Sequence, residues 1–221
     1  MRVPTSSGTA VRATVEQTRR VVSVVIVDVD GVLRRWDPVA VRDAEAEHGL
    51  PPGCLLEAAF AESSLTQAVT GAVSDAGWRD DIATRLARDH AVPLHRACAA
   101  VAQWSASPGT VDTEVLELLR QQRRRTTVAL LSNATDRLED DLQSLGVLRE
   151  VDRVYNSSRL GLAKPDPAVF TAVCADLAVQ ARQCAFVDDT RAHVQAAASL
   201  GMHAHHHTGA RELAAFLATL R

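Results

Sequence analysis

The stretch VVSVVIVDVDGVL, residues 21–33, is a short apolar run that ends in two carboxylates. Its β-branched residues predict a buried strand over 21–27, because such side chains favour strands and a membrane span needs about 20 apolar residues. Asp28 and Asp30 follow directly, and parallel sheets bind ligands at the carboxyl ends of their strands. The stretch therefore predicts a central strand that delivers two carboxylates to a ligand-binding edge.

Four further segments have the pattern of short strands, and helical patterns separate them. The strands are expected at 126–132, 151–156, 184–188 and 202–208. The helical signals are apolar spacing over 111–119 and 138–145 with Gly146 after it, an Asp166-Pro167 start for a helix to Leu177, and a helix from about Arg191 to Gly201. Strands that alternate with helices predict an α/β fold with a doubly wound, Rossmann-like parallel sheet.

Residues 37–107 differ from the rest, because they contain amphipathic helical patterns without a convincing strand. Four helices are expected there, near 38–48, 53–62, 76–90 and 93–104. The insertion lies between the first and second strands, so we expect a helical cap over the strand ends. The predicted domains are a flexible tail (1–20), an α/β core (21–36 and 108–221) and the cap (37–107).

Composition excludes several classes of protein. The 221 residues are 47% hydrophobic and 23% charged, with a formal net charge of −3, so the chain can bury a core but has no basic field for nucleic acid or an anionic membrane. The four cysteines, Cys54, Cys98, Cys174 and Cys184, are scattered in apolar surroundings and form no C-x-x-C pair. We expect reduced thiols and a cytoplasmic protein; the oligomeric state stays open.

Polar residues follow the other predicted strands as well. Ser132-Asn133 ends the second, Asp188-Asp189 ends the fourth, and Lys164-Pro165 precedes a helix start. A D-x-D-G motif alone is as often a simple turn, a strand-end Ser-Asn pair alone favours a turn, and a lone lysine favours a solvated surface position. Their shared place at one edge of the sheet favours a site instead.

This pattern resembles the haloacid dehalogenase-like hydrolase superfamily. The matching motifs are DVDGVL at 28–33, LLSNAT at 130–135, LAKPDP at 162–167 and FVDDT at 186–190. The motif order and the insertion resemble the subfamily that carries a helical cap after the first motif. The resemblance implies that Asp28 is a nucleophile forming an aspartyl-phosphate and that Asp30 is the general acid and base. Members that cleave carbon–halogen bonds lack an acid at the second position, so Asp30 favours phosphoryl transfer.

Four converging aspartates require a cation, because close like charges repel by about 4 kcal/mol per pair at an effective dielectric near 20. Oxygen ligands beside a phosphate favour Mg²⁺. We expect Asp28 and Asp189 as side-chain ligands, Asp30 through its backbone carbonyl, and Asp188 directly or through water.

The remaining site residues would bind the phosphoryl group and the rest of the substrate. Ser132 and the Asn133 backbone amide are expected to contact phosphoryl oxygens, and Lys164 to balance charge on the nucleophile and on the phosphoryl group as it transfers. Arg34, Arg35 and Trp36 enter the cap and either touch substrate or pack the linker.

Other polar and aromatic features carry less functional weight. His203, His205 and His207 could share one strand face with a metal, although an ordinary terminal strand is favoured. His193 stands where many relatives carry Asn or Asp, and Trp78 and Trp104 are expected to pack the cap.

The predicted function is a Mg²⁺-dependent phosphatase for a small phosphorylated metabolite, with sugar phosphates as the leading class. The alternatives are a phosphomutase, whose cap retains a bisphosphorylated intermediate, and a non-catalytic regulatory protein on the same fold.

Overall fold

The computed structural model describes residues 22–220. The expected tail, residues 1–20, lies outside them, as does Val21. The strands are β1 (Val24–Val27), β2 (Arg34–Arg35), β3 (Thr110–Val111), β4 (Thr127–Ser132), β5 (Arg153–Asn156), β6 (Cys184–Asp188) and β7 (His203–His206). The helices are α1 (Pro38–His48), α2 (Cys54–Ala59), α3 (Glu62–Val69), α4 (Asp75–His90), α5 (Leu94–Trp104), α6 (Thr113–Arg123), α7 (Leu138–Ser144), α8 (Ser157–Leu160), α9 (Pro167–Asp176), α10 (Arg191–Ser199) and α11 (Ala210–Thr219).

The main sheet has five parallel strands in the order β5-β4-β1-β6-β7. The chain winds outward from β1 in both directions, which confirms the predicted doubly wound, Rossmann-like sheet. In such sheets the crevice at the point of reversal is the usual ligand site. Here that point lies at the carboxyl end of β1, where Asp28 begins.

Alternating side chains of β1 supply both faces of the sheet. Val25 and Val27 join an apolar cluster with α6, α7 and α11, whereas Val24 and Ile26 join one with α9 and α10. All four residues are at most 3% exposed. Helices on both faces therefore fix β1, and with it the backbone that leads to Asp28.

Five helices, α1 to α5, lie between β2 and β3, and four of them, α1, α2, α4 and α5, supply an apolar cluster of their own. The expectation of four helices was wrong, because the pattern near 53–62 breaks at Phe60 and Ala61 and α3 starts at Glu62. The two-stranded antiparallel ribbon of β2 and β3 was also missed. It joins the two ends of the insertion beside β1.

Several local expectations agree with the structure. Asp166 caps α9 by accepting a hydrogen bond from the Ala168 amide, and Pro167 is the first helical residue. The four cysteines are free thiols, but Cys98 is exposed while the other three are buried. Within residues 22–220, none of the helices combines the length and the apolar character that crossing a membrane would require.

Candidate active site

The carboxyl ends of three neighbouring strands bring the predicted polar residues together. Asp28 follows β1, Ser132 ends β4 and Asp188 ends β6. The register pairs Val27 with Leu130 on one side and with Val187 on the other, so Asp28 and Asp188 stand at one level and Ser132 one residue beyond it. Asp28, Ser132 and Asp189 line one cavity of about 290 Å³ together with Lys164.

Lys164 connects the carboxylates within this site. Its Nζ lies 2.8 Å from Asp28 Oδ1 and 2.7 Å from Asp188 Oδ2, and it donates a 2.9 Å hydrogen bond to the Leu131 carbonyl. Burial lowers the pKa of Lys164, but the two carboxylates more than offset this and leave it above its usual value. The ammonium is therefore charged at neutral pH, and three oxygens hold it in place.

Asp28 is 6% exposed, and one of its oxygens accepts a 2.7 Å hydrogen bond from the Val29 amide. Burial, with a smaller contribution from the nearby Asp188, raises the pKa of Asp28 to about 7 against the lowering effect of Lys164. In the protein alone, the Asp28 carboxyl is therefore only partly ionised near neutral pH. A further positive charge beside it would favour the anion.

Asp188 is fully buried, and donors occupy both of its oxygens. Besides Lys164, the donors are the Thr190 amide at 2.8 Å and His193, whose Nδ1 lies 3.1 Å from both oxygens. Burial raises the pKa of Asp188, but hydrogen bonds from His193 and Lys164 outweigh it and keep the pKa low. Asp188 thus fixes the position of Lys164, and His193 contacts Asp188 rather than Asp189.

Carboxylate oxygens of Asp28, Asp188 and Asp189 lie within 4.8 Å of one another. Their three negative charges and the one positive charge of Lys164 leave a net charge of −2, which a hard divalent cation balances. Gly31 makes room for this arrangement, since its φ is +80° and a Cβ there would overlap the Asp189 carboxylate. Among residues 22–220 this is the one group with metal-ligand geometry, and it includes no histidine.

Asp30 lies at the rim of the same cavity and is held by its neighbours along the chain. Arg34 donates to both carboxylate oxygens at 2.7 and 3.0 Å, and Trp36 Nε1 donates to one of them at 2.8 Å. Arg34 is itself buried and also contacts Asp141 at 3.1 Å. Sequence reasoning missed this role, although the Asp30–Arg34 spacing of four is a typical ion-pair spacing.

Asn133 has a structural contact that was not expected. Its amide Nδ2 donates to the Lys164 carbonyl at 2.7 Å, and its Oδ1 accepts from the Lys164 amide at 2.8 Å. The side chain therefore fastens the backbone of Lys164 to the end of β4. Ser132 is buried and lines the catalytic cavity.

Arg35 stands apart from the other site residues. Its exposed guanidinium pairs with Asp112, and it lines neither this cavity nor the adjacent one. Three of the C-terminal histidines have separate contacts: His206 Nε2 lies 2.8 Å from the Asp189 carbonyl, His205 stacks on Phe216, and the backbone amide of the buried His207 donates to the Asp188 carbonyl at 2.8 Å. The strand therefore supports the loop that carries Asp189.

A family profile described as haloacid dehalogenase-like hydrolase matches residues 22–201, most of the chain. The chain belongs to the haloacid dehalogenase-like hydrolases. Membership in this hydrolase family is consistent with a nucleophile site at the end of β1.

Relatives of this haloacid dehalogenase-like hydrolase include named phosphatases. Phosphatase MT3486 of Mycobacterium tuberculosis is 29% identical over 199 residues, covering 83% of this chain and 86% of that protein. Validoxylamine A 7'-phosphate phosphatase of Streptomyces hygroscopicus subsp. limoneus is 28% identical over 148 residues, covering 64% and 67%.

A solved structure shares the fold at lower identity. The HAD family enzyme bt-2542 of Bacteroides thetaiotaomicron, in complex with magnesium and inorganic phosphate, has a TM-score of 0.65 and 23% identity and covers 82% of this chain and 91% of that one.

Proposed function

We propose that this hydrolase is a Mg²⁺-dependent phosphatase that releases inorganic phosphate from a small phosphorylated metabolite. The observation that carries the proposal is the pair of carboxylates after β1: Asp28 buried against Lys164, and Asp30 at the cavity rim. The two named phosphatases among the relatives support it, and the acid at position 30 favours phosphoryl transfer over dehalogenation.

The donor set fits Mg²⁺, because it consists of oxygen atoms with a net charge of −2. Asp28 and Asp189 would hold the ion with their side chains and Asp30 with its backbone carbonyl, whereas the donors on Asp188 suit it to orienting Lys164. When bound, the ion would neutralise charge on the phosphoryl group and orient it.

In the first step an oxygen of Asp28 attacks phosphorus, and the bond from phosphorus to the alcohol oxygen breaks. The product is an aspartyl-phosphate, and the electron pair of the broken bond leaves with the alcohol oxygen. Lys164 lies 2.8 Å from the attacking carboxylate, where its charge stabilises the phosphoryl group in transfer. Ser132 and the Asn133 backbone amide would donate to phosphoryl oxygens.

Asp30 gives a proton to the leaving oxygen and then takes one from water. The water oxygen attacks phosphorus, the bond to Asp28 breaks, and inorganic phosphate leaves. The side chains around Asp30 form a connected network without net charge, made of two aspartates, Asp30 and Asp141, and two arginines, Arg34 and Arg137. A proton on Asp30 therefore adds one positive charge beside the phosphate.

The insertion supports a cap role in this reaction. We propose that residues 37–107 close over the substrate, since Trp78 and Trp104 of this insertion, with Trp36 just before it, line a second cavity next to the catalytic one. Sugar phosphates remain the class expected from sequence, and free thiols support a reducing, cytoplasmic environment.

Phosphate release from acetyl phosphate tests the proposal directly. We expect release with Mg²⁺, none with excess chelator, recovery when Mg²⁺ is restored, and poor recovery with Ca²⁺, whose larger and looser coordination misplaces the reacting groups. Full activity in excess chelator would show that the carboxylate group is not a metal site.

A further inference from the structure

A second cavity of about 400 Å³ opens from the catalytic cavity toward the cap. Asp30 and Asn133 line both cavities, so a molecule whose phosphate lies at Asp28 extends into the second one. Most of its wall is apolar. All three tryptophans of the chain contribute to it, and so do aliphatic residues of α1 to α3.

Exposed apolar side chains concentrate at this cavity. Among residues 22–220 five large hydrophobic side chains are exposed, and three of them line it: Trp36 at 48%, Leu56 at 38% and Phe60 at 60%. Large apolar groups left in water forgo the stabilisation of burial, and their clustering at a cavity marks a binding surface. The wall is therefore suited to cover an apolar group.

The charged groups that form the polar part of the wall are mostly paired within the protein, whereas Trp78 Nε1 has no hydrogen-bond partner. Arg34 contacts Asp30 and Asp141, and Arg137 contacts Asp141 and the Ser105 carbonyl. A substrate with many hydroxyl groups needs free donors and acceptors, because hydroxyls buried without partners are costly. These paired groups offer few of them.

The charge of the wall also disfavours a second phosphate. Four aspartates line the cavity, namely Asp30, Asp37, Asp75 and Asp141, against two arginines, Arg34 and Arg137. Asp75 also pairs with Arg79, so one negative charge, that of Asp37, remains uncompensated on the wall. A bisphosphorylated intermediate, which the phosphomutase alternative requires, would place its second phosphate beside this charge.

We propose that this site takes phosphate monoesters of alcohols with an apolar, ring-sized or branched carbon skeleton, in preference to polyhydroxylated sugar phosphates. The proposal rests on the proposed phosphatase function and names the substrate class for it. The phosphate lies at Asp28 and Lys164, the ester oxygen near Asp30, and the carbon skeleton against Trp36, Leu56 and Phe60.

Phosphate esters of two primary alcohols test the proposal. Because their leaving groups are alike, a difference in kcat/KM between them reports the contacts of the carbon skeleton with the wall of the second cavity. With Mg²⁺ we expect kcat/KM for 2-phenylethyl phosphate to exceed that for glucose 6-phosphate by about tenfold or more, the usual discrimination of an apolar pocket. Equal values, or a preference for glucose 6-phosphate, would overturn the proposal.

Acetyl phosphate separates this inference from the function on which it rests. Hydrolysis of acetyl phosphate that Asp28→Asn abolishes, without a preference between the two esters, overturns the substrate class and leaves the phosphatase in place. Absence of Mg²⁺-dependent hydrolysis of all three compounds overturns both.

Variants of the cap test whether the preference between the two esters comes from the wall of the second cavity. Phe60→Asn and Leu56→Asn change exposed side chains, so the fold tolerates them, and each should lower the ratio of the two kcat/KM values by about fivefold. Leu94→Asn is the matched control, because Leu94 is 54% exposed on α5 and lies outside the cavity. An unchanged ratio in both wall variants, or an equal drop in Leu94→Asn, would place the preference elsewhere and overturn the assignment.

Discussion

At the residue scale, two aspartates with one residue between them have different surroundings. Asp28 is buried beside Lys164, and burial raises its pKa to about 7, whereas Asp30 lies at the rim and accepts from Arg34 and Trp36. A buried carboxylate beside an ammonium suits attack on phosphorus, and a carboxylate at the rim can exchange protons with the alcohol and with water. The proposed roles thus differ because of environment rather than residue type.

Asp28→Asn should reduce turnover by on the order of 10⁴-fold, because the amide keeps the shape but lacks the anionic nucleophile. The fold should survive, since Lys164 keeps Asp188 and the Leu131 carbonyl as partners. Phosphate release and the thermal unfolding midpoint check the two statements. Activity within about tenfold of wild type would rule out covalent catalysis by Asp28.

Arg34 and Arg35 are adjacent in sequence but contact different partners, so the same substitution at the two positions makes a matched comparison. Arg34→Gln should lower kcat about tenfold, because Asp30 loses the side chain that orients it for proton transfer. The loss should be larger for an alkyl phosphate than for 4-nitrophenyl phosphate, whose leaving group departs without a proton. Arg35→Gln should leave both rates unchanged, since its partner is Asp112. Equal losses on both substrates would assign Arg34 a merely structural role.

At the element scale, the turn after β1 requires glycine. A Cβ at residue 31 would overlap the Asp189 carboxylate, so Gly31→Ala should displace that ligand and raise the Mg²⁺ concentration for half-maximal activity by about tenfold. Gly161→Ala is the control, because Gly161 also has a positive φ of +68° but has open space around it. Similar Mg²⁺ titrations for both variants would remove Asp189 from the proposed ligand set.

The contact between β7 and α11 predicts a pH dependence of stability. His205 stacks on Phe216 with 4.6 Å between ring centroids, and burial lowers its pKa, as do His207 and His206, while Glu212 raises it. The folded state therefore disfavours the charged ring. The neutral His205 ring contributes fully to stability above its unfolded-state pKa near 6.5. This contribution is lost as the pH falls below that value.

His205→Phe keeps an aromatic ring against Phe216 and removes the titration. The free energy of unfolding of wild type relative to this variant should decrease between pH 7.5 and 5.5, as measured by urea denaturation at each pH. A constant difference would mean that His205 titrates alike in both states.

The sequence predicted the elements whose signals are local. Asp166-Pro167 marked the start of α9, and the run at 184–188 marked β6 to the residue. It did not predict β2 and β3, because a two-residue strand has no periodicity and forms only when the ends of the insertion meet. The site residues at strand ends could be named for the same local reason, whereas the contact of Arg34 with Asp141 joins positions 107 residues apart and needed the fold.

At the scale of the whole molecule, three successive residues after β4 fasten the core to the cap. Thr135 Oγ1 donates to Asp75 Oδ1 at 2.9 Å, and Asp136 accepts from the Asp75 amide at 2.8 Å, at the start of α4. Arg137 donates to the Ser105 carbonyl at 2.6 Å, beyond the end of α5. The loop that follows Ser132 and Asn133 therefore also sets the position of the helices that wall the second cavity.

Asp136→Ala should loosen this closure without touching the chemistry, because Asp136 is exposed and lines neither cavity. One hydrogen bond contributes about 1 kcal/mol, so we expect KM for the preferred ester to rise about fivefold. The kcat for acetyl phosphate, which is too small to reach the cap, should stay at the wild-type value. Asp140→Ala, an exposed aspartate on α7, is the control and should change neither constant. A fall in kcat for acetyl phosphate in Asp136→Ala would show that cap closure also positions the catalytic residues, because the loop that carries Asn133 would then transmit the change to Lys164.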